Sequence, residues 1–245
     1  MTDPVYLILG ATGGIGSTLS RQLSAKEARL AFAGRSPDRL QALAQELGGS
    51  IHPLDATSIE EVQKAVDDVV AEHGRIDGLV NCVGSILLKP AHRTSADEWR
   101  STLAANLDSA FATVRAGTSA MRKAGGSIVL LSSAAARIGL PNHEAIAAAK
   151  AGVVGLALSA AASYAPRGIR VNVVSPGLVR TPLSEHLTQN PASEKASLAM
   201  HPLGRLGEPD DVARAIAWLL DPEQSWVTGQ VLGIDGGLGS IRSHS

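Results

Sequence analysis

The chain has 245 residues, 44% hydrophobic and 18% charged, an ordinary globular composition long enough for one α/β domain. Its 22 basic and 23 acidic residues leave a net charge of −1, so no broad attraction for nucleic acid or an anionic membrane is expected. A lone Cys82 excludes internal disulfides and a cysteine-based zinc site, and the seven histidines (52, 73, 92, 143, 186, 201 and 244) show no metal-ligand spacing.

Short aliphatic runs alternate with helical patterns from end to end. Strands are expected at Val5–Leu9, Arg29–Ala33, Ser50–Pro53, Gly78–Cys82, Ser127–Leu131, Arg170–Val174 and Gln230–Ile234. Helices are expected near 15–26, 37–47, 59–73, 95–122, 143–165 and 209–220, with starts marked by Ser36-Pro37, Ser58, Ser95 and Glu208-Pro209. Such alternation predicts an α/β fold: a Rossmann-like, doubly wound parallel sheet of about seven strands with helices on both faces, built as a single domain over residues 1–245. Val5–Leu9 is too short for a signal peptide, and Ala151–Ala165 falls short of a membrane span, so a cytoplasmic protein without membrane or nucleic-acid partners is expected. The one long irregular stretch, Thr181–Gly207 with Pro182, Pro191 and Pro202, suggests a substrate lid over residues 178–207.

Directly after the first strand comes "GATGGIG", Gly10 to Gly16, followed by a helical pattern. Glycines at this spacing permit a tight turn and let backbone amides approach a pyrophosphate, whose charge the helix N-terminus favours. Gly10, Thr12, Gly14, Ile15 and Gly16 are the candidate residues. The second strand ends in "AGRS", where an NAD site usually carries a carboxylate for the ribose hydroxyls. Gly34 and Arg35 stand there instead, which favours NADP(H) over NAD(H): no carboxylate repels a 2′-phosphate, and a guanidinium can grip one.

Together these and later motifs resemble the short-chain dehydrogenase/reductase family over nearly the whole chain. Leu9 replaces the threonine that leads the family's glycine turn; Asp55 in "PLDAT" matches the position that holds the adenine ring. "NCVG" contains Asn81 and Gly84, "AANL" carries Asn106, and "IVLLSS" ends in Ser133 at the catalytic serine. "RVNVVSPGLVRTP" supplies Pro176, Gly177 and Thr181 at the positions that contact the nicotinamide end, and "TGQVLGIDGG" matches the closing strand. The resemblance implies a catalytic set of Ser133, Lys150 and Asn106, with Lys150 also holding the nicotinamide ribose, and a homotetramer formed through the 95–122 and 143–165 helices.

The family's tyrosine, four residues before the lysine, donates the proton; in "HEAIAAAK" that position is Ile146. Three readings fit. His143, Ile146 and Lys150 share a helix face at spacings of three and four, so His143 can substitute as the acid. The resemblance supports that geometry: in the enoyl-thioester reductase branch the tyrosine stands seven positions before the lysine. Alternatively Asn142 caps the helix, His143 meets solvent, and the substrate (an enone or iminium) needs no acid. In the third reading the chain binds nucleotide without catalysis, as a sensor, scaffold or partner subunit. The first is preferred: an NADP(H)-dependent oxidoreductase acting on a small carbonyl, alcohol or activated alkene, with an unusual proton donor.

Overall fold

The computed structural model describes residues 3–241; His244 lies outside them. Seven strands, β1 (Val5–Leu9), β2 (Arg29–Gly34), β3 (Ser50–Pro53), β4 (Gly78–Asn81), β5 (Gly126–Leu131), β6 (Ile169–Pro176) and β7 (Val231–Ile234), form one sheet in the order β3-β2-β1-β4-β5-β6-β7. Every pairing is parallel. The central strands read as unbroken aliphatic runs because both faces are covered, and all eight residues of β6 are buried.

One face carries α1 (Gly14–Ser24), α2 (Pro37–Leu47) and α9 (Pro209–Leu220), whose core joins Leu19, Leu40 and Ile216 to Ile8 and Phe32. The other carries α3 (Ile59–His73), α5 (Ser109–Ala120) and α6 (Glu144–Tyr164), packing Val66, Val114 and Val153 on Leu7, Leu79 and Val171. Ser36 and Ser58 cap their helices as expected, and α4 (Ala96–Leu103) opens with a full capping box between Ser95 and Glu98.

Three expectations need correction. The 95–122 helix is divided: a π turn, Ala104–Asp108, separates α4 from α5. Asn106 Nδ2 takes the Thr102 carbonyl at 2.9 Å, the acceptor a continuous helix would give to a backbone amide. Residues 181–207 are largely helical, with α7 (Glu185–Thr188) and α8 (Pro191–Met200). Pro191 begins α8 rather than breaking it, since Asn190 Oδ1 accepts from the amides of Ala192 and Ser193. Finally, Glu144–Arg167 is long and apolar enough to cross a membrane by length and composition alone. Its inner face (Ala145, Ala149, Val153, Ala157, Ala160) is buried against the protein, as in the core helix of a globular domain.

The sheet order reverses between β1 and β4, where crevices open at the carboxyl edge of such folds. Leu9 pairs with both Ala33 and Asn81, so the loops after β1, β2 and β4 emerge side by side.

Candidate active site

The glycine turn and the segments after β2, β3 and β4 line a cleft of about 470 Å³, together with Thr181, Pro182 and Leu183 from beyond β6. Glycine is required in this turn. Gly10 has φ 75°, and a Cβ on Gly16 would stand 2.2 Å from the Gly10 carbonyl oxygen. Gly13 is the N-cap of α1 and makes no side-chain cap, and no acidic residue lies in the first turn. The first amides and the positive end of the helix dipole therefore face the cleft uncompensated, a cradle suited to a pyrophosphate.

Thr12, Gly14, Ile15, Arg35, Asp55 and Gly84 all line this cleft, as the sequence motifs suggest. Arg39 is an addition: it lies beside Arg35 in the cleft wall and its guanidinium donates to the Thr12 carbonyl. Four residues after Arg35, it is the second cation that the glycine turn itself lacks. Asp55 accepts from the amide and hydroxyl of Thr57, which hold its carboxyl below the usual range, with Arg35 adding to the effect.

Asn81 is not part of the wall. Its amide donates to Ser109 and Thr113 at 3.2 and 3.1 Å, and its carbonyl accepts from the Val83 amide at 2.8 Å, so it ties β4 to α5. Pro176 is buried at the end of β6, and Gly177 lies against His201 and Asp235. Thr181 does meet the turn; a Cβ on Gly14 would sit 2.8 Å from its methyl.

Two of the four polar residues named from the sequence, Asn106 and Lys150, converge on Gly84. A Cβ there would lie 2.9 Å from Asn106 Oδ1 and 3.5 Å from Lys150 Nζ. Asn106 is buried; its Oδ1 accepts from the Ser85 amide and its Nδ2 donates to Ser85 Oγ at 3.0 Å. Lys150 is 7% exposed and donates to the Leu131 carbonyl at 2.9 Å. Burial without a carboxylate partner pushes its pKa down to about 8, only partly offset by Cys82. Burial in turn pushes the Cys82 thiol up to about 12, so it is not a nucleophile at neutral pH. Ser132, unnoticed in the sequence, fixes the lysine's backbone through a 2.8 Å bond from its Oγ to the Lys150 carbonyl. Ser133 follows at the start of the 3₁₀ turn Ala134–Ala136, its Oγ accepting from the Ala135 amide.

Ile146 is buried on α6 one turn before Lys150. His143 is the N-cap residue of α6, a place the sequence suggested for Asn142, which instead adopts φ 63° in the turn before it. His143 Nδ1 stands 2.7 Å from the Pro141 carbonyl. A carbonyl only accepts, so Nδ1 carries a proton and the neutral ring keeps its lone pair on Nε2.

A family model described as Enoyl-(Acyl carrier protein) reductase matches residues 10–239. The chain is 38% identical over 239 residues to a D-threitol dehydrogenase of Mycolicibacterium smegmatis, covering 95% of this chain and 92% of that one. It is also 38% identical over 241 residues to a 3-oxoacyl-[acyl-carrier-protein] reductase of Thermotoga maritima, covering 96% and 97%. Among solved structures, a short-chain type dehydrogenase/reductase from Mycobacterium ulcerans superimposes with a TM-score of 0.93 at 35% identity, over 99% of this chain and 92% of that one. ElxO with NADP bound superimposes at 0.92 with 28% identity, over 98% and 100%. The uncapped glycine turn, the parallel sheet and these full-length likenesses lead to one conclusion: the chain is an oxidoreductase belonging to the short-chain dehydrogenase/reductase family, which acts on alcohols or ketones with a nicotinamide cofactor.

Proposed function

We propose that the chain is an NADP(H)-dependent oxidoreductase of small ketones, alcohols or activated alkenes, with Ile146 at the family's tyrosine position and His143 as proton donor. The observation that carries this reading is the convergence of Asn106 and Lys150 on Gly84, in the wall of the glycine-turn cleft. Two buried polar side chains brought to one point beside a nucleotide cradle are costly to the fold unless used. Arg35 and Arg39 together favour a 2′-phosphate, since each guanidinium can form charge-assisted bonds to it. The relative structure with NADP bound supports the same choice.

In this reading the amides opening α1 hold the pyrophosphate, Lys150 the nicotinamide ribose, and Thr181 the carboxamide end. The bound nicotinamide supplies or accepts hydride. Ser133 donates a hydrogen bond to the substrate oxygen and Asn106 orders a water. The protonated His143 ring offers its Nε2 proton, held in orientation by the Nδ1 bond to Pro141. Ile146 forms an apolar wall. Residues 178–207 act as the lid, a cytoplasmic setting suits the lone thiol, and the outward-facing Trp99, Phe111 and Leu158 on α4, α5 and α6 suit a homotetramer.

The test follows NADPH oxidation with a panel of reactive diketones and enones. Wild type is expected to turn over, His143→Ala to lose ~10²-fold or more, and His143→Ala with Ile146→Tyr to regain ketone reduction. Unchanged activity in His143→Ala would remove the histidine from the mechanism.

A further inference from the structure

We propose that His201 is a positioning residue, joining the helix α8 to the loop that carries Thr181 over the glycine turn. No residue of α8 is fully buried, so its place depends on polar ties rather than on the core. Near its start Glu194 pairs with Arg180. At its other end His201, only 3% exposed, is the C-cap residue. Its Nδ1 lies 2.7 Å from the Ser197 carbonyl and so must donate. That leaves Nε2 as the acceptor, and the Leu178 amide donates to it at 3.2 Å. One neutral ring thus caps the lid helix and holds the first residue past Gly177.

The surrounding backbone is cut to fit this ring. A Cβ on Gly177 would stand 2.6 Å from His201 Nε2, so a glycine at 177 is needed for the histidine as well as for the turn. Leu178 is bridged onward: its carbonyl accepts from Gly207, and the Gly207 carbonyl accepts from Arg180, immediately before Thr181. Displacement at Leu178 therefore passes along three residues to the Thr181 methyl against Gly14. Asp235, Asp211 and Arg205 line the cavity shared with the ring. Asp235 is engaged by the amides of Gly237 and Gly239, and Asp211 by Arg205, so neither carboxylate is paired with the imidazole.

This inference rests on the reading of Thr181 as part of the cofactor cleft, and its test includes a readout that does not. His201→Leu removes both bonds; His201→Gln keeps a neutral acceptor and donor at every pH. Amide hydrogen exchange over residues 178–188, NADPH affinity by fluorescence titration, and the split between kcat and KM are measured. In His201→Leu the segment is expected to exchange about tenfold faster, and the NADPH Kd and KM to rise about tenfold with kcat within about twofold. His201→Gln is expected to stay within about twofold of wild type in exchange, NADPH affinity and KM. Wild-type exchange and affinity in His201→Leu would overturn the proposal, as would equal damage in both variants. If His201→Leu does not fold, His201→Gln decides: wild-type exchange and NADPH affinity support the joint, and faster exchange over residues 178–188 with weaker NADPH binding overturns it. Faster exchange without any NADPH binding in wild type would refute the cofactor reading and leave the joint standing.

Discussion

Lys150→Met is expected to abolish or severely impair turnover and yet to stabilise the folded chain. The side chain is buried, and its ammonium donates to the Leu131 carbonyl with no carboxylate partner among the described residues, so its pKa falls from 10.5 to about 8. At about 1.4 kcal/mol per unit, a charged Lys150 costs the fold roughly 3 kcal/mol near pH 7. Methionine removes that cost and keeps the stem packed, but it leaves the Leu131 carbonyl without its donor, a loss of about 1–2 kcal/mol. The net gain near neutral pH is then about 1–2 kcal/mol. The sign of the pH dependence follows from a lowered lysine pKa. Between about 8 and 10.5 the unfolded chain holds a proton that the folded chain has released, so wild-type stability rises with pH through that window relative to the variant. Going from pH 7 to about pH 9.5 should shift the difference by roughly 2 kcal/mol in favour of wild type. Urea denaturation of both proteins at the two pH values measures this directly, with ionisations elsewhere cancelling in the comparison. A difference that does not change with pH would show that Lys150 is not held in a desolvated site.

Two further predictions concern the cofactor and the frame. Replacing Arg35 and Arg39 together by Ala should weaken NADPH binding by about 10²-fold or more while leaving NADH binding within a few-fold, read by fluorescence titration; equal losses for both nucleotides would place the arginines elsewhere in the site's chemistry. Asn81→Ala should cost about 2–3 kcal/mol in thermal or urea unfolding, because it strips two buried hydrogen bonds between β4 and α5 and leaves the Val83 amide without its acceptor. Loss of NADPH affinity without loss of stability would instead return Asn81 to the cofactor.

The sheet was legible because parallel strands covered on both faces must be aliphatic throughout, and the capped helices between them announce their own starts. What escaped depended on partners far away in sequence. Asn106 breaks the long helix because Ser85, twenty-one residues earlier, shares its amide with Thr102. Asn81 stands in a motif that resembles a cofactor contact, and only the placement of Ser109 and Thr113 on α5 shows that its side chain also ties the frame. Other misses had a local signal. Asn190-Pro191 is a helix start by the same logic as Ser36-Pro37, and Arg39 lies in the first turn of the helix that Ser36-Pro37 begins, just past Arg35. His201 gave no such signal, since its reason for being there is a glycine twenty-four residues before it.

The proposed exchange of a hydroxyl for Ile146 affects more than the proton donor. A tyrosine one turn before Lys150 would offer the lysine an acidic neighbour; isoleucine offers hydrocarbon. Among the described residues, the ionisable group whose charge opposes the lysine's lowered pKa is then Cys82, itself neutral well above physiological pH. Two consequences follow from the same apolar wall. The ammonium becomes titratable near neutrality, so in the proposed arrangement the group assigned to the ribose loses its charge on the alkaline side at about pH 8. In that arrangement the acid, no longer supplied beside the lysine, comes from a side chain that meets water. His143, half-buried at the mouth of α6 with one nitrogen anchored to Pro141 and the other unspent, has that combination of fixed orientation and solvent contact. In the proposed arrangement the upper pH limit is set by Lys150, whose charge is lost above about pH 8.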